Sequence, residues 1–210
     1  MVNPDKITNY NLTDFELEEN LIFWVLVTGK TASVTARNLV KLLFELCVYA
    51  CEDDGNNSPL SLIRRISVYK DERRQLSNIL KECGFGCYNL KAKSLKELAF
   101  ANLNLRTCSI DDLEKISGIG RKTSRCFIMH TRKNAHCAGL DTHLLKFLND
   151  LGYNVPRSTP GSGKVYKQVE NQLLALFDKK KRTPAELDLL IWRVYSKHPH
   201  LKGVLLKSFT

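Results

Sequence analysis

Ser117-Gly118-Ile119-Gly120-Arg121-Lys122-Thr123-Ser124 is the stretch that decides how this chain is read, and Leu140-Asp141-Thr142-His143 completes it. The segment Ile110 to Ile116 before it is short and amphipathic, and it stops at Gly118, the residue type that accepts left-handed dihedrals at a helix end. Gly118-Ile119-Gly120 then makes a bend with little side-chain bulk over the main-chain amides. From Arg121 to Arg132 helical periodicity resumes through Cys126, Phe127 and Met129. Free amides at the positive end of a helix form an anion site, and Arg121 and Lys122 add two cations, so a phosphate is the natural guest. A glycine cap followed by a solvated basic helix is the plainer alternative, and the turn alone leaves it open.

With Lys122 in the first turn and Asp141 nineteen positions on, the pattern resembles the helix-hairpin-helix of the DNA glycosylase superfamily, which includes endonuclease III and the 8-oxoguanine glycosylases. Arg121-Lys122-Thr123 and Asp141-Thr142-His143 are similar to endonuclease III in particular. Tyr88-Asn89-Leu90-Lys91-Ala92-Lys93 resembles another segment of that family, and Leu21 to Ala32 its first bundle helix and the loop after it. The resemblance implies an all-α, two-lobed fold: a central bundle over 11–134, a second lobe from 1–10 plus 135–210, and a cleft that receives an extruded base. It implies that Gly118, Ile119, Gly120, Arg121 and Thr123 hold DNA, that Lys122 attacks the damaged nucleotide, and that Asp141 is the catalytic carboxylate. Lys30 falls where relatives fill the gap left by the flipped nucleotide, or it contacts phosphate. His143 orients Asp141 or a phosphate, or is structural. The loop 134–140 sets Asp141 one residue farther from the lysine than endonuclease III relatives do.

Composition sets limits. Thirty-two Lys plus Arg against twenty-two Asp plus Glu leave a formal charge of +10 on 210 residues, suited to a polyanionic partner. Duplex DNA with a damaged base is the partner expected, with no membrane and a monomeric protein. No long apolar run occurs, and the start Met1-Val2-Asn3-Pro4-Asp5-Lys6 is polar, so an intracellular protein of cytoplasm, nucleoid or nucleus is expected. The seven cysteines form no recognisable disulfide framework. Cys47, Cys51, Cys83 and Cys87 are spaced as a conceivable zinc site, but Cys47 is read as part of the apolar face of Leu43, Phe44 and Leu46. After Cys137 there is no cysteine, so the four-cysteine iron–sulfur cluster of many endonuclease III relatives has no ligands in the C-terminal third. No metal and no cofactor are expected.

Helical patterning runs nearly throughout, without sustained strand alternation. Thr13 to Glu16 reads as a capping box before Leu17 to Val27. Further helices are expected at 31–50, 60–67, 71–83, 90–102, 110–116, 121–133, 142–151, 164–179 and 184–197, with loops at 51–59 and 152–163. Lys179-Lys180-Lys181-Arg182 reads as solvating a helix end.

A lysine amine attacks only when neutral, and the positive end of a helix disfavours the ammonium form. The chemistry the resemblance implies is attack on C1′, release of the base, a Schiff base, and strand cleavage by β-elimination. Asp141 steadies cationic character at the sugar while also capping its helix, and a plain cap is the alternative. The string Ala185-Glu186-Leu187-Asp188-Leu189-Leu190-Ile191-Trp192 resembles the tail of the short type-2 8-oxoguanine DNA glycosylases, which also lack the cluster. By that likeness Asp188 and Trp192 line the base pocket; a core stripe of Leu187, Leu190, Ile191 and Val194 with Trp192 beside it is the alternative. Those relatives end in a lysine soon after this helix, whereas here the chain continues to Thr210. A bifunctional glycosylase and AP lyase for 8-oxoguanine is thus favoured. An endonuclease III-like enzyme for oxidised pyrimidines such as thymine glycol, a monofunctional glycosylase, and a non-catalytic hairpin that only holds DNA are the alternatives.

Overall fold

Polar side chains open the helices at the positions their spacing suggests. Thr13 accepts the Glu16 amide while Glu16 Oε2 takes the Thr13 amide at 2.8 Å, and this reciprocal box starts α1, Asp14–Leu26. The structure, a computed structural model, describes residues 1–50, 57–68 and 75–209. Beyond α1 it contains α2 Ala32–Ala50, α3 Pro59–Val68, α4 Leu76–Glu82, α5 Tyr88–Phe100, α6 Ile110–Glu114 and α7 Arg121–Thr131. The remaining helices are α8 Thr142–Asp150, α9 Gly163–Phe177, α10 Pro184–Lys197 and α11 Lys202–Lys207. Among the described residues every regular element is helical, including single 3₁₀ turns at Pro4–Lys6 and Pro199–Leu201. None of these helices is long and apolar enough to cross a membrane.

The helical expectations agree with these elements to within a few residues. α10 spans the expected range because Thr183 and Glu186 form another capping box and Pro184 occupies the first turn, where a missing amide costs nothing. Most of the expected loop at 51–59 and the start of the helix expected at 71 lie outside the described residues. Patterning did not disclose α11, whose apolar content is two leucines and a valine. Leu205 of α11 is buried and Phe209 stacks edge-on against Phe147 at 4.9 Å, so the tail that follows α10 is a packed element.

The chain forms two compact units, residues 1–7 with 11–127 and residues 8–10 with 128–210. In the first, the C-terminal half of α1 from Leu21 to Leu26 is apolar on every side and largely enclosed: Leu21, Ile22 and Leu26 have no exposed surface. α3 packs against α2 and α5, and α5 also meets α1 and α4. Leu39, Leu42 and Leu46 of α2, Leu62 and Ile63 of α3 and Leu95 of α5 fill this core, each contributing roughly 1.5–3 kcal/mol on full burial. Residues 1–7 join this unit, rather than the second as expected, and the Val2 amide donates to the buried Glu19 carboxylate at 3.2 Å. The second unit is built on Leu144, Leu145, Phe147 and Leu148 of α8, Tyr166, Leu173 and Phe177 of α9, and Leu187 and Ile191 of α10.

Cys47 corrects the cysteine reading. It is exposed, as is Phe44 beside it, because the buried stripe of α2 runs through Leu39, Leu42 and Leu46. Cys83 is buried, with its thiol pushed up to about 11 by burial, and Cys87 is exposed, while Cys51 lies outside the described residues. No group of three or more metal-ligating side chains occurs among the described residues.

Candidate active site

The hairpin is braced from both sides. Ser109 and Asp112 form the capping box of α6, with Ser109 Oγ 2.7 Å from Asp112 Oδ2. Lys115, hydrogen-bonded to Asp112 at 2.9 Å, and then Ser109 hold the Asp112 carboxyl far below the usual carboxylate range. Leu113, Ile116 and Ile119 are buried and anchor the turn in the first unit. Glu114 at the end of α6 accepts from Ser124 Oγ at 2.9 Å and from Arg125 Nη1 at 2.6 Å, tying α6 to the second turn of α7.

α5 supplies the floor under the turn. Glu97 accepts the Ser117 amide at 2.7 Å, and this bond, with a second from the Ser117 side chain, lowers the Glu97 carboxyl below its ordinary value. Gly118 has φ +83, and a Cβ there would run into the Ser94 hydroxyl. Both the backbone sign and the closeness of α5 therefore require glycine.

Gly120 differs from Gly118. Nothing lies within 4 Å of where its Cβ would be, so the approach to the backbone at the start of α7 is open. Its carbonyl accepts the Ser124 amide at 3.1 Å, the first turn of the helix. Lys122, half-buried in that turn, has no ion-pair or hydrogen-bond partner among the described residues. Arg121 is half-buried next to it. Two of the residues expected to hold DNA, Ile119 and Thr123, have buried side chains. Ile119 donates its amide to Ile116 O at 3.0 Å and is 3% exposed, which makes it the hydrophobic anchor of the turn. Thr123 is buried because its position on α7 faces the core.

Asp141, in the second unit, is the N-cap of α8. Its Oδ1 accepts the amides of His143 at 2.8 Å and Leu144 at 2.9 Å. The His143 link to Asp141 thus runs through the backbone; its ring Nδ1 is buried without a partner among the described residues.

In the same unit, Asp188 on α10 meets a residue that sequence reading passed over. The fully buried His130, in the last turn of α7, places Nε2 3.1 Å from Asp188 Oδ2 and Nδ1 2.8 Å from Thr8 Oγ1. A carboxylate at Asp188 accepts from Nε2–H, which leaves Nδ1 to accept the Thr8 hydroxyl proton. The signal that could have disclosed His130 is a histidine among the apolar residues Phe127, Ile128 and Met129, where burial demands partners. Trp192, one turn after Asp188, is half-buried, with the Lys197 ammonium 5.2 Å from its ring centroid. Leu187, Ile191 and Val194 form the core stripe beside it.

Lys30 is exposed in the turn after α1, where Gly29 has φ +76 and the Lys30 amide bonds to Val27 O at 3.0 Å. Lys91, from the Tyr88 to Lys93 segment, is buried beneath that turn. Its ammonium donates to Leu26 O at 2.8 Å and Thr28 O at 3.1 Å, and burial lowers its pKa.

No protein-family model matches this chain. Over 93% of its length and 87% of the other's, it superposes with a TM-score of 0.65 and 20% identity on the crystal structure of Tm1821, the 8-oxoguanine DNA glycosylase of Thermotoga maritima. The chain has the helix-hairpin-helix glycosylase fold. In that fold Gly118, Gly120 and Lys122 lie on the hairpin itself, while Asp141 opens the helix that follows the loop after it.

Proposed function

We propose that this chain is a bifunctional DNA glycosylase and abasic-site lyase that removes oxidised bases, 8-oxoguanine foremost, from duplex DNA. The observation that carries the reading is Lys122: a half-buried lysine in the first turn of α7, without a side-chain partner among the described residues and two positions after a glycine whose backbone stands open. A phosphate seated on that turn would bring the adjoining sugar toward the amine.

In the proposed reaction the Lys122 lone pair bonds to C1′ as the bond from C1′ to the base nitrogen breaks, and the departing base takes the electron pair and a proton. The amine gives up one proton, and the C1′–O4′ bond then breaks with the ring oxygen taking a proton, which opens the sugar and leaves a protonated Schiff base. Removal of a 2′ proton then expels the 3′ phosphate and cuts the strand. The Asp141 carboxylate stabilises positive charge at the sugar and assists the proton transfers. Gly118, Gly120 and Arg121 hold DNA, Lys30 and His143 are assigned DNA contacts outside the hairpin, and Asp188 with Trp192 borders the base pocket.

Borohydride reduction on an 8-oxoguanine duplex tests this directly. The wild type is expected to give a covalent protein–DNA adduct and Lys122→Gln none. Base release without an adduct would replace the lysine by water activated at Asp141, and no release from any damaged duplex would leave a hairpin that only binds. A second lesion class, oxidised pyrimidines, is favoured by Arg121-Lys122-Thr123 and Asp141-Thr142-His143, so a thymine glycol duplex belongs in the same experiment.

A further inference from the structure

The approach to Asp141 is held by side chains at an unusual density. Before α8, Ala138, Gly139 and Leu140 belong to no helix or strand, so their polar backbone groups need partners elsewhere. α9 and the loop before it provide them. Tyr166, with no exposed surface, donates its hydroxyl to Ala138 O and accepts the Leu140 amide, both at 2.9 Å. One turn later Glu170, 1% exposed, accepts the Ala138 amide at 3.0 Å, and Lys167 balances it at 3.2 Å. Thr159 donates to Leu140 O at 2.7 Å.

We infer that Tyr166, seconded by Glu170, is the positioning residue that fixes the Asp141 carboxylate for the reaction, an inference resting on the function proposed above. The hydroxyl grips the backbone on both sides of Gly139, where the chain is most deformable, and Leu140 leads straight into Asp141. Asp141 Oδ1 is in turn fixed on the first amides of α8. Carboxylate placement is therefore set at both ends, by the α9 grip on the entering chain and by the cap on the leaving helix. A buried charge such as Glu170 is costly to keep for packing alone, and here its acceptor is spent on the same three residues.

Tyr166→Phe removes the grip with little change in volume. The expected result is a folded protein that binds lesion DNA within about threefold of wild type while single-turnover base release falls about tenfold or more, because misplacement of a catalytic group acts on the chemical step. In an Asp141→Asn background the same substitution should cause no further loss, since the residue it positions is already disabled. If Tyr166→Phe fails to fold, Thr159→Val, which removes the bond to Leu140 O at an exposed residue, is read instead, with the same pattern expected. Release within twofold of wild type in the variant read, or an equal loss in the Asp141→Asn background, would overturn the inference. Should the wild type release no base at all, the proposed function fails by itself. Carbon-13 titration of the Asp141 carboxyl in wild type and Tyr166→Phe then decides the positioning separately: a changed midpoint supports it and an unchanged one refutes it.

Discussion

Lys122 and Asp141 ask for different kinds of substitution, because the Lys122 side chain supports nothing else among the described residues, whereas Asp141 also holds up a helix. Lys122 has no partner among the described residues, so Lys122→Gln should leave the melting temperature nearly unchanged. It should abolish base release and strand cleavage while damaged-DNA affinity stays within about tenfold, since phosphate contacts dominate binding. A reducible adduct formed by this variant would remove Lys122 from the role of nucleophile. Asp141 caps α8 through Oδ1, and asparagine can accept the same two amides. Asp141→Asn should therefore keep the fold yet slow base excision by roughly two orders of magnitude, the usual cost of losing an electrostatic stabiliser. Near-normal single-turnover excision by this variant would reduce Asp141 to its structural duty.

At the level of elements, the hairpin is stable because α5 supports a turn that has no core of its own. Gly118→Ala should destabilise the protein by about 1–3 kcal/mol, from the positive φ together with the collision with Ser94. Adding Ser94→Ala should recover only the part due to the collision, and chemical denaturation of the two variants separates the contributions. Glu97 gives a pH signature. Its folded carboxyl is lowered by the Ser117 amide, so the folded state binds fewer protons than the unfolded one in mild acid. The stability it lends is present above the ordinary glutamate range and disappears as pH falls through the lowered value. The stability difference between wild type and Glu97→Gln should thus shrink toward zero on acidification; a difference constant with pH would refute the assignment. The helices and the two glycines were legible in the sequence because caps, turn residues and apolar spacing are local signals. Ser94 and Glu97 under the turn, Tyr166 against Ala138 and Leu140, and His130 against Asp188 were not, because each partner lies some 20 to 60 positions away and only packing unites them. The burial of the Thr123 and Ile119 side chains was not legible for a related reason: the motif gives the register of the hairpin, but the direction of each side chain depends on the core beneath it.

For the molecule as a whole, charge and lesion choice have to be separated before either can be measured. If the proposed function holds, a formal +10 will make affinity for any duplex strongly dependent on salt, through release of counterions that carry no information about the base. Preference must therefore be compared as single-turnover rates with enzyme in excess, on duplexes differing only in the lesion. Under those conditions 8-oxoguanine should be released faster than thymine glycol. The tail from Leu187 to Trp192, through its likeness to the type-2 8-oxoguanine enzymes, is what favours the purine. The endonuclease III-like strings lie on the hairpin and the helix after it, which in the proposed function handle phosphate and sugar rather than read the base. Trp192 makes the comparison sharper. Its ring is half-buried beside the core stripe of α10, with the Lys197 ammonium near its centroid, and stacking of a base on an aromatic face is worth on the order of 1–3 kcal/mol. Trp192→Ala should accordingly slow release of 8-oxoguanine by about tenfold or more and thymine glycol less, because the wider purine offers more stacking surface. If thymine glycol is released faster by the wild type and Trp192→Ala treats both lesions as the wild type does, the pocket is not on α10 and the enzyme belongs with those that act on oxidised pyrimidines.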